Sequence, residues 1–184
     1  AMQELSMNVL DVAQNSVAAG AKLVQITLEA DQARGILSLV IEDDGRGMTP
    51  EAAQRAVDPF YTTRTTRKVG LGLPFLKMAA EMTGGGLSIQ SQPGCGTRVC
   101  AQFGLHHIDR APIGDMASTI AGLIQCSPDI DFVYTVRAAG GEFCADTREM
   151  RAVLGGVPLS EPSVAQWIRE FIEENTQPIL EGVI

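Results

Sequence analysis

The chain of 184 residues lacks any apolar run close to the roughly 20 residues that a membrane-spanning helix needs, so a soluble protein is expected. It also lacks a basic leader before the first amphipathic segment, which disfavours a signal peptide. Its four cysteines are far apart and show no CxxC spacing, which favours buried thiols in a reducing cytoplasm over zinc sites or disulfides. The net charge of −8 disfavours a nucleic-acid backbone as the main partner.

The first 104 residues alternate between helical periodicity and short β-rich runs. The predicted elements, in chain order, are helix 2–19, strands 22–30 and 36–42, helix 50–57, loop 58–69, helix 71–82, and strands 87–92 and 97–103. The loop is predicted to be mobile because it is rich in threonine and basic residues and has little apolar content. Thr49 is the expected N-cap of the short helix.

One face of the first predicted helix carries a polar stripe. Asn8, Asp11 and Asn15 follow each other at helical spacing beside the apolar positions. The amide oxygen of an asparagine is a hard ligand that suits Mg²⁺, and a carboxylate can orient an attacking group. The stripe is therefore a candidate site for metal binding and catalysis.

Two glycine motifs follow this stripe at the ends of predicted elements. The first is Asp43-Asp44-Gly45-Arg46-Gly47-Met48, and the second is Gly70-Leu71-Gly72-Leu73. In the first motif one carboxylate can accept from the amino group of adenine while glycine backbone approaches the ring. The second motif opens a helix, whose free N–H groups and positive dipole end bind phosphates. Together the motifs predict a nucleotide pocket.

These motifs resemble the ATP-binding domain shared by DNA gyrase, heat-shock chaperone ATPases, histidine kinases and MutL, the GHKL superfamily. Residues 11–21 resemble its N box, 43–48 its G1 box, 58–64 the kinase F box, and 70–73 its G2 box. Thr97 lies where a family threonine helps to hold adenine. The resemblance covers residues 3–104.

The resemblance implies an α+β fold: a two-layer α/β sandwich of the Bergerat type, with a mixed sheet covered by helices on one face. We expect this ATP-binding domain at residues 1–104 and a small α+β domain of unassigned role at residues 105–184. The elements predicted for the second part are helix 112–126, strands 130–137 and 142–146, and helices 147–154 and 162–174. The last helix is expected to serve as a packing surface.

The resemblance also implies a role for individual residues. Asn15 would hold Mg²⁺, and Asp11 would be the catalytic residue. ATP binding is assigned to Asn15, Asp43, Gly45, Gly47, Met48, Arg64, Gly70, Leu71, Gly72, Leu73 and Thr97. Two positions depart from the gyrase pattern, because Asp11 replaces a glutamate and Ala18 replaces an aspartate. Phosphate contact and solvated surface both stay open for the basic loop residues.

The favoured function is a Mg²⁺-dependent, ATP-binding regulatory protein, a stand-alone module of the histidine-kinase type. It would transfer phosphate to a separate protein, as the anti-sigma-factor serine kinases of this superfamily do, or to a histidine supplied in trans. The alternative is a protein-binding module gated by ATP and ADP without turnover. A third hypothesis is a gyrase-like or MutL-like dimeric ATPase, but those proteins complete the site with a later lysine, and no lysine follows Lys77. The expected partners are ATP or ADP and a protein or phosphoacceptor in trans, with no nucleic acid and no membrane, while a homodimer stays open.

The chain has only two histidines, His106 and His107, and both follow the predicted ATP-binding domain. A conventional histidine kinase carries its phosphoacceptor histidine before this domain. Either histidine could accept phosphate, but a solvated pair at the end of a strand is the favoured interpretation.

Overall fold

The computed structural model describes residues 3–64 and 72–184, without the side chains of residues 62–64. The helices are α1 (Leu5–Ala18), α2 (Pro50–Ala56), α3 (Pro59–Arg64), α4 (Gly72–Glu81), α5 (Met116–Cys126), α6 (Thr147–Leu154) and α7 (Pro162–Leu180). The strands are β1 (Leu23–Asp31), β2 (Ile36–Asp43), β3 (Gly86–Gln92), β4 (Gly96–Gly104), β5 (Asp131–Ala138) and β6 (Gly141–Asp146).

The strands form one mixed sheet of six, in the order β3-β4-β2-β1-β5-β6. Neighbouring strands are antiparallel except β1 and β5, which run parallel. In this register Asp43, the last residue of β2, lies opposite Thr97 at the start of β4. The predicted α+β fold with a mixed sheet is confirmed.

One face of the sheet carries the core, because apolar side chains alternate with polar ones along the strands. On β1, for example, Val24, Ile26 and Leu28 are buried, whereas Gln25 and Thr27 line an open cavity on the opposite face. Helices α1, α4, α5 and α7 add their apolar residues to the same core. The arrangement is a helical layer on a sheet whose other face is polar.

The predicted helices and strands of the first 104 residues are confirmed to within a few residues. Thr49 caps α2 as expected, since its hydroxyl accepts from the N–H of Ala52 at 3.2 Å. The predicted loop is wrong for residues 59–64, which form α3. Pro59 suits the first turn of a helix, and the carboxylate of Asp58 accepts from the N–H of Phe60 at 2.9 Å. Residues 65–69 of that loop lie outside the described part of the chain.

Residues 105–184 do not form a separate sheet. Their predicted hairpin supplies β5 and β6, which extend the sheet beyond β1, and α5 lies against α1. Buried residues from both sides of position 104 share one core cluster. The predicted division at residues 104 and 105 therefore coincides with no break in the sheet or the core, and the two-domain organisation stays a prediction.

Helices α5 and α7 differ in length from their predictions. Helix α5 begins four residues late because the carboxylate of Asp115 accepts from the N–H of Ser118 at 3.0 Å and caps the helix at Met116. Helix α7 continues six residues beyond its predicted end and contains Pro178. Within residues 3–64 and 72–184, no helix combines the length and the apolar character needed to cross a membrane.

The core contains one phenol with an unsatisfied hydroxyl. Tyr134 on β5 is 1% exposed, and its hydroxyl has no hydrogen-bond partner among the residues that the structure describes. Burial, and secondarily the charge of Glu173, raises the pKa of this phenol. Burying a polar group without a partner costs about 1–3 kcal/mol.

We therefore expect Tyr134→Phe to leave the free energy of unfolding unchanged or to raise it by up to about 1 kcal/mol, because the change removes an unsatisfied buried group. Urea denaturation measures the difference. Tyr61→Phe is the matched control at a side chain that is 45% exposed, and it should change stability by less than about 0.5 kcal/mol. A loss above about 1 kcal/mol in Tyr134→Phe would contradict the expectation and indicate a partner for the hydroxyl.

Candidate functional site

The carboxylate of Asp43 is held from two sides at the end of β2. One oxygen, Oδ2, accepts from the hydroxyl of Ser16 on α1 at 2.6 Å. The other, Oδ1, accepts from the N–H of Gly45 at 2.9 Å. The orientation of this carboxylate is therefore fixed by a helix and by the loop that follows its own strand.

The next residue, Asp44, is exposed and connects the loop to β1 by hydrogen bonds. Its carboxylate accepts from the N–H groups of Leu23 at 2.9 Å and Lys22 at 2.7 Å. The hydrogen bond from Leu23, followed by the other backbone N–H groups and the charge of Lys22, holds the pKa of this exposed carboxyl below its usual value. Asp44 thus ties the glycine loop to the start of β1.

The loop that contains Gly47 packs against the turn between β3 and β4. Gly47 has a φ of 70°, and a Cβ there would lie 1.9 Å from the backbone oxygen of Gln92. The loop is also bonded to this hairpin by its backbone, since the N–H of Met48 donates to the hydroxyl of Ser91 at 2.8 Å. Only glycine satisfies both the left-handed conformation and this close approach.

Thr97 and Ser91 form the side of the site that β4 and β3 provide. Their hydroxyl oxygens are 2.8 Å apart, and Thr97 lies directly opposite Asp43 across the β2–β4 ladder. Asp43, Ser91 and Thr97 line a cleft of about 720 Å³ that also reaches Pro50 and Ala53 of α2. The carboxylate of Asp43 and the hydroxyls of Ser91 and Thr97 thus border the same cleft.

Helix α1 carries two further predicted residues, which are not among the described residues that line this cleft. Asp11 and Asn15 are one helical turn apart and half-buried, and Asn15 immediately precedes Ser16. Burial raises the pKa of the Asp11 carboxyl. Helix α4 approaches α1 here so closely that a Cβ on Gly72 would lie 2.7 Å from the Cβ of Asp11. Gly72 therefore permits the contact between these two helices.

Some predicted site residues lie elsewhere or outside the described part of the chain. The side chain of Leu73 is 7% exposed and belongs to the core. Gly70, Leu71 and the side chain of Arg64 lie outside the described residues. Asn8, the first member of the predicted polar stripe, is buried, and its side-chain oxygen has no partner within the described ranges.

Sequence reasoning missed two hydroxyl residues of the site, Ser16 and Ser91. Ser16 follows the buried positions Val9 and Val12 at helical spacing. Ser91 lies two residues after Ile89, on the same covered face of β3. A polar residue at a position where the pattern demands an apolar one was the available signal. The role of each hydroxyl depends on a partner that is distant in sequence, Asp43 for Ser16 and Thr97 for Ser91.

An oriented aspartate, a glycine loop and a helix start beside a half-buried acid are together typical of a nucleotide-binding site. The family of histidine kinase-, DNA gyrase B-, and HSP90-like ATPases matches residues 1–107, which is more than half of the chain. The chain belongs to this family, and the predicted resemblance is confirmed.

Two relatives with known names match the first part of the chain. The chain is 31% identical over 103 residues to the histidine protein kinase DivJ of Caulobacter vibrioides, a match that covers 54% of this chain and 17% of DivJ. It is 34% identical over 101 residues to the sensor protein SrrB of Staphylococcus aureus, covering 52% of this chain and 17% of SrrB. The chain therefore resembles only a small part of each of these relatives.

A solved structure, described as the N terminal domain of a DNA repair protein, shares the fold with a TM-score of 0.57. It is 16% identical, and the likeness covers 77% of this chain and 51% of that one. Because 77% of the chain exceeds the part that the family match covers, the likeness in fold extends beyond residue 107.

The glycine loop yields a stability prediction. Gly47→Ala should lower the free energy of unfolding by about 3–5 kcal/mol, because the new methyl group adds a collision with Gln92 to the strain of a positive φ. Chemical denaturation measures the loss.

Gly94→Ala is the matched control, because Gly94 has a φ of 80° but nothing within 4 Å of the methyl group that the substitution adds. It should cost only the backbone strain, about 1–2 kcal/mol. Equal losses for the two variants would show that the loop does not depend on its approach to the β3–β4 turn.

Proposed function

We propose that this chain binds Mg²⁺ and ATP and transfers the γ-phosphate to a separate protein, as a regulatory ATPase of the histidine-kinase type. The observation that carries the proposal is the fixed carboxylate of Asp43, which lies at the end of β2 opposite Thr97. A carboxylate held by Ser16 and Gly45 keeps its remaining lone pairs in a constant direction. It is therefore suited to accept hydrogen bonds from the amino group of adenine. A cytoplasmic location is part of this proposal.

The phosphate end of the site is proposed at the contact between α1 and α4. Gly72 places the start of α4, with its positive dipole end, against Asp11. Asn15 is half-buried one helical turn after Asp11 on α1. Its amide oxygen suits a hard cation that also binds phosphate oxygens. A bound Mg²⁺ would supply charge neutralisation at the transferring phosphoryl group. Asn15 is the protein group that would hold it.

Transfer requires a group that orients the acceptor, and Asp11 is proposed for this role. Its carboxyl is half-buried beside the start of α4, and burial raises its pKa, which makes it a stronger base than an exposed aspartate. The carboxylate would accept the proton of an acceptor hydroxyl as the new bond to phosphorus forms and ADP leaves. The name of DivJ, a histidine protein kinase, supports transfer to a protein acceptor.

Asp43→Asn tests the adenine contact. The amide should weaken ATP binding about tenfold to a hundredfold, with or without magnesium, because it can turn a donor towards the adenine amino group. Asn15→Ala is the paired variant, and it should lose only the part of the affinity that magnesium adds. Calorimetric titration with magnesium and with a chelator measures both. Unchanged ATP affinity in Asp43→Asn would exclude the proposed pocket.

Asp11→Asn tests the transfer step. ATP binding should stay nearly intact, while phosphate transfer or release falls by about 10²–10⁴-fold, the range for loss of a general base. In the wild type the rate should fall as the pH drops through the pKa of Asp11, and this acid limb should lie above the ordinary aspartate value of 3.8. Single-turnover assays with γ-labelled ATP and host extract measure both effects. Equal rates for the two forms would refute the role of Asp11.

A gated binding module is the second candidate function, because α3 presents aromatic residues to solvent. Phe60 is 78% exposed and Tyr61 is 45% exposed, on the helix that precedes the glycine motif before α4. These rings would suit a protein partner whose affinity depends on the bound nucleotide. The labelled-ATP assay separates the two candidates, since nucleotide binding without any transferred or released phosphate supports the module.

A further inference from the structure

The hydroxyl of Ser91, at the end of β3, lies at the centre of a small hydrogen-bond network. It is 2.8 Å from the backbone nitrogen of Met48, 3.1 Å from the backbone oxygen of Gly96 and 2.8 Å from the hydroxyl oxygen of Thr97. Ser91 is half-buried on the face of β3 that carries Ile89. One serine therefore links the glycine loop to both ends of the turn that leads into β4.

The chemistry of the three neighbours restricts the direction of each hydrogen bond. A hydroxyl has one proton and two lone pairs. The N–H of Met48 can only donate to Ser91, and the backbone oxygen of Gly96 can only accept from it. All three contacts are satisfied together when Ser91 donates to Gly96 and Thr97 donates to Ser91. In that arrangement the hydroxyl proton of Thr97 points to Ser91. The lone pairs of the Thr97 hydroxyl oxygen can then accept hydrogen bonds from a ligand in the cleft.

The part of the cleft formed by Asp43 and Thr97 then presents two acceptors. Asp43 lies opposite Thr97 and, as an ionised carboxylate, carries lone pairs only. Its two oxygens already receive hydrogen bonds from Ser16 and Gly45, which fixes the direction of the remaining lone pairs. Two acceptors complement an exocyclic amino group, whose two N–H groups can donate one hydrogen bond to each of them. A carbonyl oxygen at the same place would face lone pairs without a proton between them.

We propose that Ser91 is a positioning residue that holds the Thr97 hydroxyl as an acceptor and thereby makes the site prefer 6-aminopurine nucleotides to 6-oxopurine nucleotides. This inference rests on the proposed function, since it places the base against Asp43 and Thr97. Without the hydroxyl of Ser91, Thr97 is free to turn its proton towards the cleft and to donate to a 6-oxo group. The preference would then decrease through weaker binding of the amino form and stronger binding of the oxo form.

The test compares ATP with inosine triphosphate, which replaces the 6-amino group by a 6-oxo group. Both nucleotides are titrated calorimetrically into the full chain as wild type, Ser91→Ala and Ser91→Thr. Ser91→Ala should lower the ratio of the two affinities about tenfold, the effect of one lost or mismatched hydrogen bond at this edge. Ser91→Thr keeps a hydroxyl and should restore the ratio.

Ser88→Ala is the matched control, because Ser88 is an exposed serine on the opposite face of the same strand. It should leave the ratio unchanged. A general loosening of the glycine loop would weaken both nucleotides alike and would not move the ratio. Thr97→Val removes the other hydroxyl of the pair and should lower the ratio as Ser91→Ala does, which keeps the test valid if Ser91→Ala fails to fold.

The outcomes separate this inference from the proposed function. A ratio unchanged in Ser91→Ala or in Thr97→Val, with ATP still bound, overturns the role of Ser91 and leaves ATP binding in place. Equal affinity of the wild type for both nucleotides also overturns it. A wild-type chain that binds neither nucleotide overturns the proposed function, and the role of Ser91 falls with it.

Discussion

The hydrogen bond from the Ser16 hydroxyl to the Asp43 carboxylate joins the first helix to the second strand across 27 positions of sequence. Because the other oxygen of Asp43 accepts from Gly45, the same carboxylate also determines where the glycine loop leaves the sheet. The loop in turn reaches Ser91 through the N–H of Met48. Asp43 thus connects α1 and the glycine loop directly, and it connects β3 through the loop.

Much of this architecture could be predicted because its signals are local. The spacing of Leu5, Val9 and Val12 predicts the buried face of α1, and alternation along β1 and β2 predicts strands with one covered face. Asp43 and its two glycines are recognisable because a turn that combines an acid with close backbone approach permits few residue types. The motif also predicts that position 47 requires glycine. The neighbour that imposes this requirement is the backbone of Gln92, which is distant in sequence.

The remaining features depend on partners that are distant in sequence. Pairing of β1 with β5 joins residues more than a hundred positions apart, and no local pattern in either strand specifies a parallel neighbour. The hydroxyls of Ser16 and Ser91 have value only through Asp43 and Thr97. Helix α3 is not predicted for a different reason, because the segment that forms it has little apolar content and therefore no helical periodicity.

The pairing of β1 with β5 also has a consequence for shortened forms of the chain. Residues 23–29 satisfy their backbone groups on that side through β5 alone. A fragment that stops after β4 would convert β1 from an interior strand into an edge strand with a row of free N–H and C=O groups. It would also remove α5, which packs against α1. Such a fragment would expose a template for self-association, so the boundary of the family match makes a poor place to cut the protein.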